Sequence, residues 1–362
     1  MALYKFGEIA FNSTEKKKPV ESDKSVYIGL EHLDSRDLRV NRWGSDVAPI
    51  GDKLIMKKGD VLFGKRRAYQ KKVAIAPFDG IFSAHGLVLR PKEDVIDIEF
   101  FPFFISSDYF LDAAIKISVG SLSPTINWGD LKELEFDLPS IEEQKRLAKI
   151  LMAAEETRQA YKKLIKQTDD LVKAKFEEMF GCVNNCMLSE IADIIMGQSP
   201  DSKYYNTDKQ GVPFYQGKTE FGDKYIGRPV NWCTNPTRLA EKDDVLMSVR
   251  APVGSVNMAV EHCCIGRGLA GIRAKKNVSL PMFIYFALKT KEKEIEDMGV
   301  GGTFKAINKD VVVSIKIPCD TIEKQQEFVV FAEQAEQTKL ATQQSLDALN
   351  ETVRALVNRN FN

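Results

Sequence analysis

The chain has 362 residues, 44% of them hydrophobic, with 51 basic and 51 acidic side chains. That is enough apolar material for two buried cores and excludes a disordered chain. Zero net charge excludes a uniformly basic binder of nucleic acid, so any basic face must be local.

No apolar run approaches the length of a membrane span, and the opening MALYKFGEIA lacks a leader pattern. Six cysteines in a chain this long do not make a disulfide framework. A soluble, cytoplasmic protein is expected.

Residues 1–140 read as a mixed lobe. Short runs rich in Val, Ile and Phe alternate with Gly, Asp, Asn and Pro turns, as in GDVLFGKRRAYQKKVAIAPFDG. Lys65, Arg66, Arg67, Tyr69, Gln70, Lys71 and Lys72 fall between two such runs. Five cations and an aromatic in one loop suit phosphate contact and base-edge readout, with Arg to guanine and Gln to adenine. A solvated hairpin tip is the plain alternative. Lys16, Lys17 and Lys18 are weaker candidates. The run IEFFPFFISSDYFLDAAIKI reads as helix.

Residues 141–181 read as one long helix. Leu147, Ile150, Ala154, Thr157, Tyr161, Leu164, Thr168 and Leu171 recur at steps of three and four, and Leu151, Ile165 and Val172 widen the stripe. Ser140 after Pro139 is a plausible N-cap, and Gly181 a C-cap.

Residues 182–318 repeat the mixed pattern. Here Tyr215, Lys218 and Arg250 are the candidates for DNA contact, Arg250 because it follows Asp244-Val245-Leu246 as the first cluster follows Asp60-Val61-Leu62. Residues 319–362 give a second long helix, with Phe328, Phe331, Ala335, Leu346, Leu349, Val353 and Leu356 on its stripe and Thr321 as its cap. Each helix is about 60 Å long at 1.5 Å per residue. The two stripes are expected to pair as an antiparallel coiled coil; two separate helices, each packed on its own lobe, are the alternative.

The two halves echo one another. Ile126-Asn127 returns as Ile307-Asn308, Ile141, Glu142 and Gln144 return as Ile322, Glu323 and Gln325, and Phe180 returns as Phe361, all 181 positions on. Glu8-Ile9-Ala10 and Gly86-Leu87 return as Glu190-Ile191-Ala192 and Gly268-Leu269. A repeat this long is domain-sized. The expected fold class is α+β: two tandem mixed α/β domains, each followed by a long helix.

The stretch from Gly120 to Gln144, GSLSPTINWGDLKELEFDLPSIEEQ, resembles the specificity subunit of a type I restriction–modification system. Gly120, Ile126, Leu131, Leu138, Pro139, Glu143 and Gln144 carry the resemblance, and lobe–helix–lobe–helix order extends it over the chain. MGQSPDSKYYN, at 196–206, resembles the opening of a family target-recognition domain. The second copy departs from the pattern at Lys324, at Cys319-Asp320 and at Gly302-Thr303-Phe304.

The resemblance implies that each lobe is a target-recognition domain reading one half of a split sequence in double-stranded DNA. The helices would set the gap and dock two methyltransferase subunits that use S-adenosylmethionine, with Leu147, Ile150, Leu164, Leu171, Leu346, Leu349, Val353 and Leu356 as spacer and docking residues. Restriction subunits with ATP- and Mg²⁺-dependent translocase activity would join them. This chain would have no catalysis, cofactor or metal of its own.

The residues themselves agree. Asn235-Pro236-Thr237 lacks the second proline and aromatic that an amino-methyltransferase needs, and neither a P-loop nor a paired-glycine cofactor loop is present. Cys182-x3-Cys186 and His262-Cys263-Cys264 lack tetrahedral spacing and read as buried reduced thiols. Gly299, Gly301 and Gly302 read as a turn. Ser121, Ser123 and Thr125 form a turn that either contacts phosphate or caps and orients the long helix, and the structural role is the one expected. A tandem-domain coiled-coil scaffold that binds only proteins is the competing function.

Overall fold

A computed structural model describes residues 1–301 and 305–361; Gly302, Thr303, Phe304 and Asn362 and the side chain of Phe361 lie outside the described residues. The chain forms two compact units, residues 1–162 with 343–362, and residues 163–342.

The first unit is closed at its base by Ala2–Lys5 pairing antiparallel with Glu135–Leu138. Above lie two four-stranded sheets. One runs Ala10–Ser13, Leu87–Pro91, Val61–Phe63, Val73–Ile75. The other runs Lys16–Lys17, Lys53–Met56, Gly80–Phe82, Tyr27–Ile28, the last pair parallel. The expected single helix divides into Phe101–Ser106 and Asp108–Lys116, because the Ser107 hydroxyl caps the second by accepting from Phe110 N at 3.2 Å. The core is aromatic: Phe104, Phe110 and Phe136 lie within 5.4 Å of one another, centroid to centroid.

The second unit repeats the plan. Asn185–Met187 pairs with Lys316–Pro318 at the base. One sheet runs Ala192–Met196, Leu269–Ala274, Val245–Ser248, Val256–Met258. The other has a fifth strand: Tyr205–Asn206, Asn231–Cys233, Val212–Tyr215, Cys263–Ile265, Leu239–Ala240.

The sequence echoes prove to be structural bolts. Glu8 and Glu190 each fold back to accept from a main-chain N–H three residues earlier, Lys5 at 2.8 Å and Met187 at 2.6 Å. Asp60 and Asp244 are buried and pair with Arg90 and Arg273. Gln144 and Gln325 do the same work at the root of each long helix. The Gln144 amide accepts from Asp97 N and donates to Val95 O and Pro139 O. Gln325 accepts from Leu280 N and donates to Val278 O and Asp320 O. Both are buried, so each fully bonded amide fixes where its helix leaves the lobe.

The long helices span Ile141–Phe180 and Ile322–Phe361. In the first unit Leu147, Ala148 and Leu151 share a core with Val353, Leu356 and Val357. In the second, Val172, Phe176 and Phe180 share a core with Phe328, Val329 and Ala332. The start of one helix thus packs on the end of the other, and the pairing is antiparallel.

The seam keeps one side of the expected stripe and leaves the other exposed. Leu147 and Leu346 are buried, and Leu349, Val353 and Leu356 are half-buried. Ile150, Leu164 and Leu171 are 41%, 42% and 54% exposed. Leu151, Thr168 and Val172 of the expected stripe are buried, and Gln144 joins their line, the polar ones with hydrogen-bonded side chains.

Cys186, Cys263 and Cys264 are buried, and burial pushes the Cys263 thiol up to about 12. Cys182 is exposed, contrary to the expectation of a buried thiol. It follows the turn at Gly181, whose N–H bonds Glu177 O at 2.7 Å and where a Cβ would meet that oxygen at 2.5 Å.

Candidate nucleic-acid interface

The cation loop joins the antiparallel strands Val61–Phe63 and Val73–Ile75. Its centre is a short 3-10 turn, Ala68–Gln70, between Arg67 and Lys71 in the left-handed region, at φ 54° and 49°. Tyr69 stands exposed on that turn and Gln70 half-buried.

The seven candidates separate into two sets. Lys71 donates to Asp108 and Asp112, each at 2.6 Å, and Lys72 to Leu30 O at 2.7 Å. Both are occupied inside the lobe, which corrects their assignment as DNA-facing cations. Arg66 and Arg67 are exposed and have no carboxylate partner among the described residues. Lys65 is half-buried; burial, and then the nearby Lys16, lowers its pKa. Of the weaker candidates, Lys17 is held by Asp23 at 3.0 Å.

The loop is clasped by the Ser-rich turn. Arg67 N donates to Pro124 O at 2.8 Å, and Ile126 N to Lys65 O at 3.0 Å. Val119 and Thr125 bridge across the turn, and Gly120 takes φ 113°, a conformation open to glycine. The turn does not cap the long helix, which Ser140 serves instead through its hydroxyl and carbonyl. It holds the cation loop.

The second unit builds the same clasp from main-chain atoms. Ala251 N donates to Lys305 O at 2.9 Å, and Ile307 N to Val249 O at 3.0 Å. Val300 and Ala306 bridge, and Gly301 takes φ 128°. Every partner is 181 positions beyond its counterpart in the turn, so Arg250 stands where Arg66 stands and Ala251 where Arg67 stands. Arg250 is exposed.

The other two second-lobe candidates fare less well. Tyr215 is 0% exposed, at the end of Val212–Tyr215, with its hydroxyl on Gly227 O at 3.1 Å. It is a core residue, not a contact residue. Lys218 is half-buried, with Nζ 3.3 Å from the Ser255 hydroxyl.

A search for runs of cations passes over Arg267. It is exposed between Gly266 and Gly268, and its N–H bonds the Ser199 hydroxyl of the MGQSP loop at 3.3 Å. His85 holds the matching place in the first lobe, where its carbonyl accepts from Arg66 N at 3.3 Å. The repeated Gly-Leu after each was the available signal. Gln198 and Gln216 are exposed on the same edge of the second lobe.

Residues 5–168 and 183–351 each match the family described as type I restriction modification DNA specificity domain. The chain belongs to that family. It is a type I specificity subunit with two tandem recognition domains, the non-catalytic member of such systems.

Relatives agree with the assignment. The specificity subunit is 35% identical over 300 residues to a protein of Methanocaldococcus jannaschii described as the MjaX type I restriction enzyme specificity subunit, covering 74% of this chain and 69% of that one. It also resembles a chain from a structural study of complex assembly and conformational transition of the type I system. There the TM-score is 0.65 and the identity 28%, over 99% of this chain and 97% of that one. A crystallised type I S subunit from M. genitalium shares the fold at a TM-score of 0.59 and 16% identity, over 100% and 96% of the two chains. Among the described residues of the specificity subunit, no helix is long and apolar enough to cross a membrane.

Proposed function

We propose that each lobe reads one half of a bipartite site in double-stranded DNA through the clasped loop that carries Arg66 or Arg250. One observation carries this reading: the two lobes differ in strand number and surface, yet both present an exposed arginine with no carboxylate partner among the described residues, from a loop locked by the same main-chain bonds. A scaffold for proteins alone has no need of a guanidinium at both positions. Arg67, Lys65, Tyr69 and Gln70 complete the first reading surface; Arg267 and Lys218 complete the second.

In this reading the paired helices set the gap between half-sites. They also dock two methyltransferase subunits, and the exposed Ile150, Leu164 and Leu171 are free for that contact. Those subunits would use S-adenosylmethionine. Restriction subunits that use ATP and Mg²⁺ would join the complex in the cytoplasm.

The test is a lobe exchange. Residues 182–318 are replaced by the recognition lobe of another specificity subunit, and the methylated sequences of the host genome are read. One half of the site should change and the other stay. Change in both halves would show that the lobes do not read independently.

A further inference from the structure

Ser123 sits where two arginines meet. Its Oγ accepts from Arg66 Nε at 3.3 Å and from Arg67 Nε at 3.2 Å. One neutral hydroxyl therefore holds two cations, and the two Nε atoms are no farther apart than those lengths together. Two like charges held this close make a strong attractor for a group rich in acceptors.

The geometry also selects which part of each guanidinium is free. Both Nε atoms are committed to Ser123, so the far end, Nη1 and Nη2, is left to donate. That end matches two acceptors side by side, as guanine offers with O6 and N7 or a phosphate with two oxygens. Leu122 separates the two choices. It is 94% exposed beside Ser123. A bare apolar side chain gains nothing against charged phosphate, but it fits a base edge, where a thymine methyl gives apolar contact. The second lobe has no such pair, because Ala251 takes the place of Arg67.

We propose that Ser123 is a positioning residue for base readout: it sets the forks of Arg66 and Arg67 so that the first lobe reads guanine in its half-site, with Leu122 against a neighbouring base. This rests on the reading of the clasped loops as the DNA-facing surface.

The experiment uses the full chain assembled with its modification partner and a randomised duplex library. Bound sequences are read, and salt dependence is measured on the preferred duplex. Ser123→Ala should lower the preference for guanine at one or two positions of one half-site by about ten-fold and leave the other half-site alone. Ser123→Thr, which keeps the hydroxyl, should restore it; a merely loosened turn would show no such selective loss. Should Ser123→Ala fail to fold, Arg67→Lys serves, since it keeps the charge and removes the fork. It should lose guanine at one position with the salt slope unchanged.

A wild-type first half-site without guanine overturns the proposal, as does an unchanged preference in the variants. Uniform weakening on all sequences with a shallower salt slope overturns it in favour of phosphate contact and leaves the DNA face standing. The face itself fails only if replacing Arg66 and Arg67 together by Ala changes neither sequence choice nor salt slope.

Discussion

Arg354, near the end of the second long helix, donates its Nε to Asp108 of the first lobe at 2.8 Å. The same carboxylate accepts from Arg36 at 2.8 Å and from Lys71 at 2.6 Å. One acid thus joins the helix, the lobe body and the foot of the cation loop. Burial works to raise its pKa, but the hydrogen bonds from Arg36 and Lys71 outweigh that and hold the carboxyl well below the usual range. A depressed pKa means stability that is present above the ordinary value of about 4 and lost as pH falls below it. Asp108→Asn should cost about 1–2 kcal/mol near neutral pH, mostly by stranding the Lys71 ammonium, since Arg36 and Arg354 are largely exposed and screened by water. Urea unfolding of both proteins over a pH series checks this: the gap between them should narrow in acid, and parallel curves would sink the assignment.

The two sets of cations in the loop should behave differently. Changing Lys65, Arg66 and Arg67 to Ala should weaken DNA binding by the assembled complex and lower the log–log salt slope by about 0.9 for each phosphate contact removed. Lys71→Ala should instead lower thermal stability, because its ammonium is spent on Asp108 and Asp112. A salt slope and a sequence preference both unchanged by the triple variant would show that the exposed arginines are only solvated.

Tyr215→Phe removes a buried hydroxyl that bonds Gly227 O. It should cost about 1 kcal/mol of stability and leave the recognised sequence intact. Altered methylation specificity in a well-folded Tyr215→Phe protein would return this residue to the reading surface.

Gln144→Ala should strip three part-buried main-chain groups of their partner at the root of the first long helix. The expected cost is about 3 kcal/mol, with protease cleavage appearing near residue 140. Gln325→Ala should do the same near residue 320. A variant of either kind with wild-type melting would mean that the amides are replaceable by water.

The helices give a ruler test. Four residues inserted near Gln167 add about 6 Å and turn the stripe by about 400°, leaving the seam off by only ~40°. The gap between half-sites should lengthen by one or two base pairs, at about 3.4 Å each, with both half-sites unchanged. Two inserted residues turn the stripe by ~200° and should destroy assembly. An active four-residue variant with its original gap would falsify the ruler.

The repeat, the α+β class and the antiparallel helices were all legible in the sequence, because duplicated residues and helical spacing leave direct marks. The helix seam was legible only in part. Counting apolar residues selects Ile150, Leu164 and Leu171, yet the buried line takes in Gln144, a polar side chain satisfied by main-chain partners at Asp97 and Val95. Hydropathy cannot see a polar group whose bonds are made across the fold. The same blindness misplaced Lys71, Lys72 and Tyr215, whose partners are distant in sequence. The exposed place of Arg250 in its loop was legible because Asp244-Val245-Leu246 fixes its register; that of Arg267 was not, because a single arginine between glycines makes no cluster.

The clasp has an evolutionary consequence. Its backbone grip, from Arg67 N to Pro124 O and from Ile126 N to Lys65 O, uses no side chain, and the second lobe keeps that grip with Ala, Lys and Val in place of Arg, Pro and Lys. The side chains at 66 and 122 are therefore free to vary without breaking that grip, while Arg67, at φ 54°, tolerates only residues at ease in the left-handed region. A family of such proteins can explore new vocabularies by point substitution alone, since heritable change in what is read is uncoupled from the risk of losing the reader.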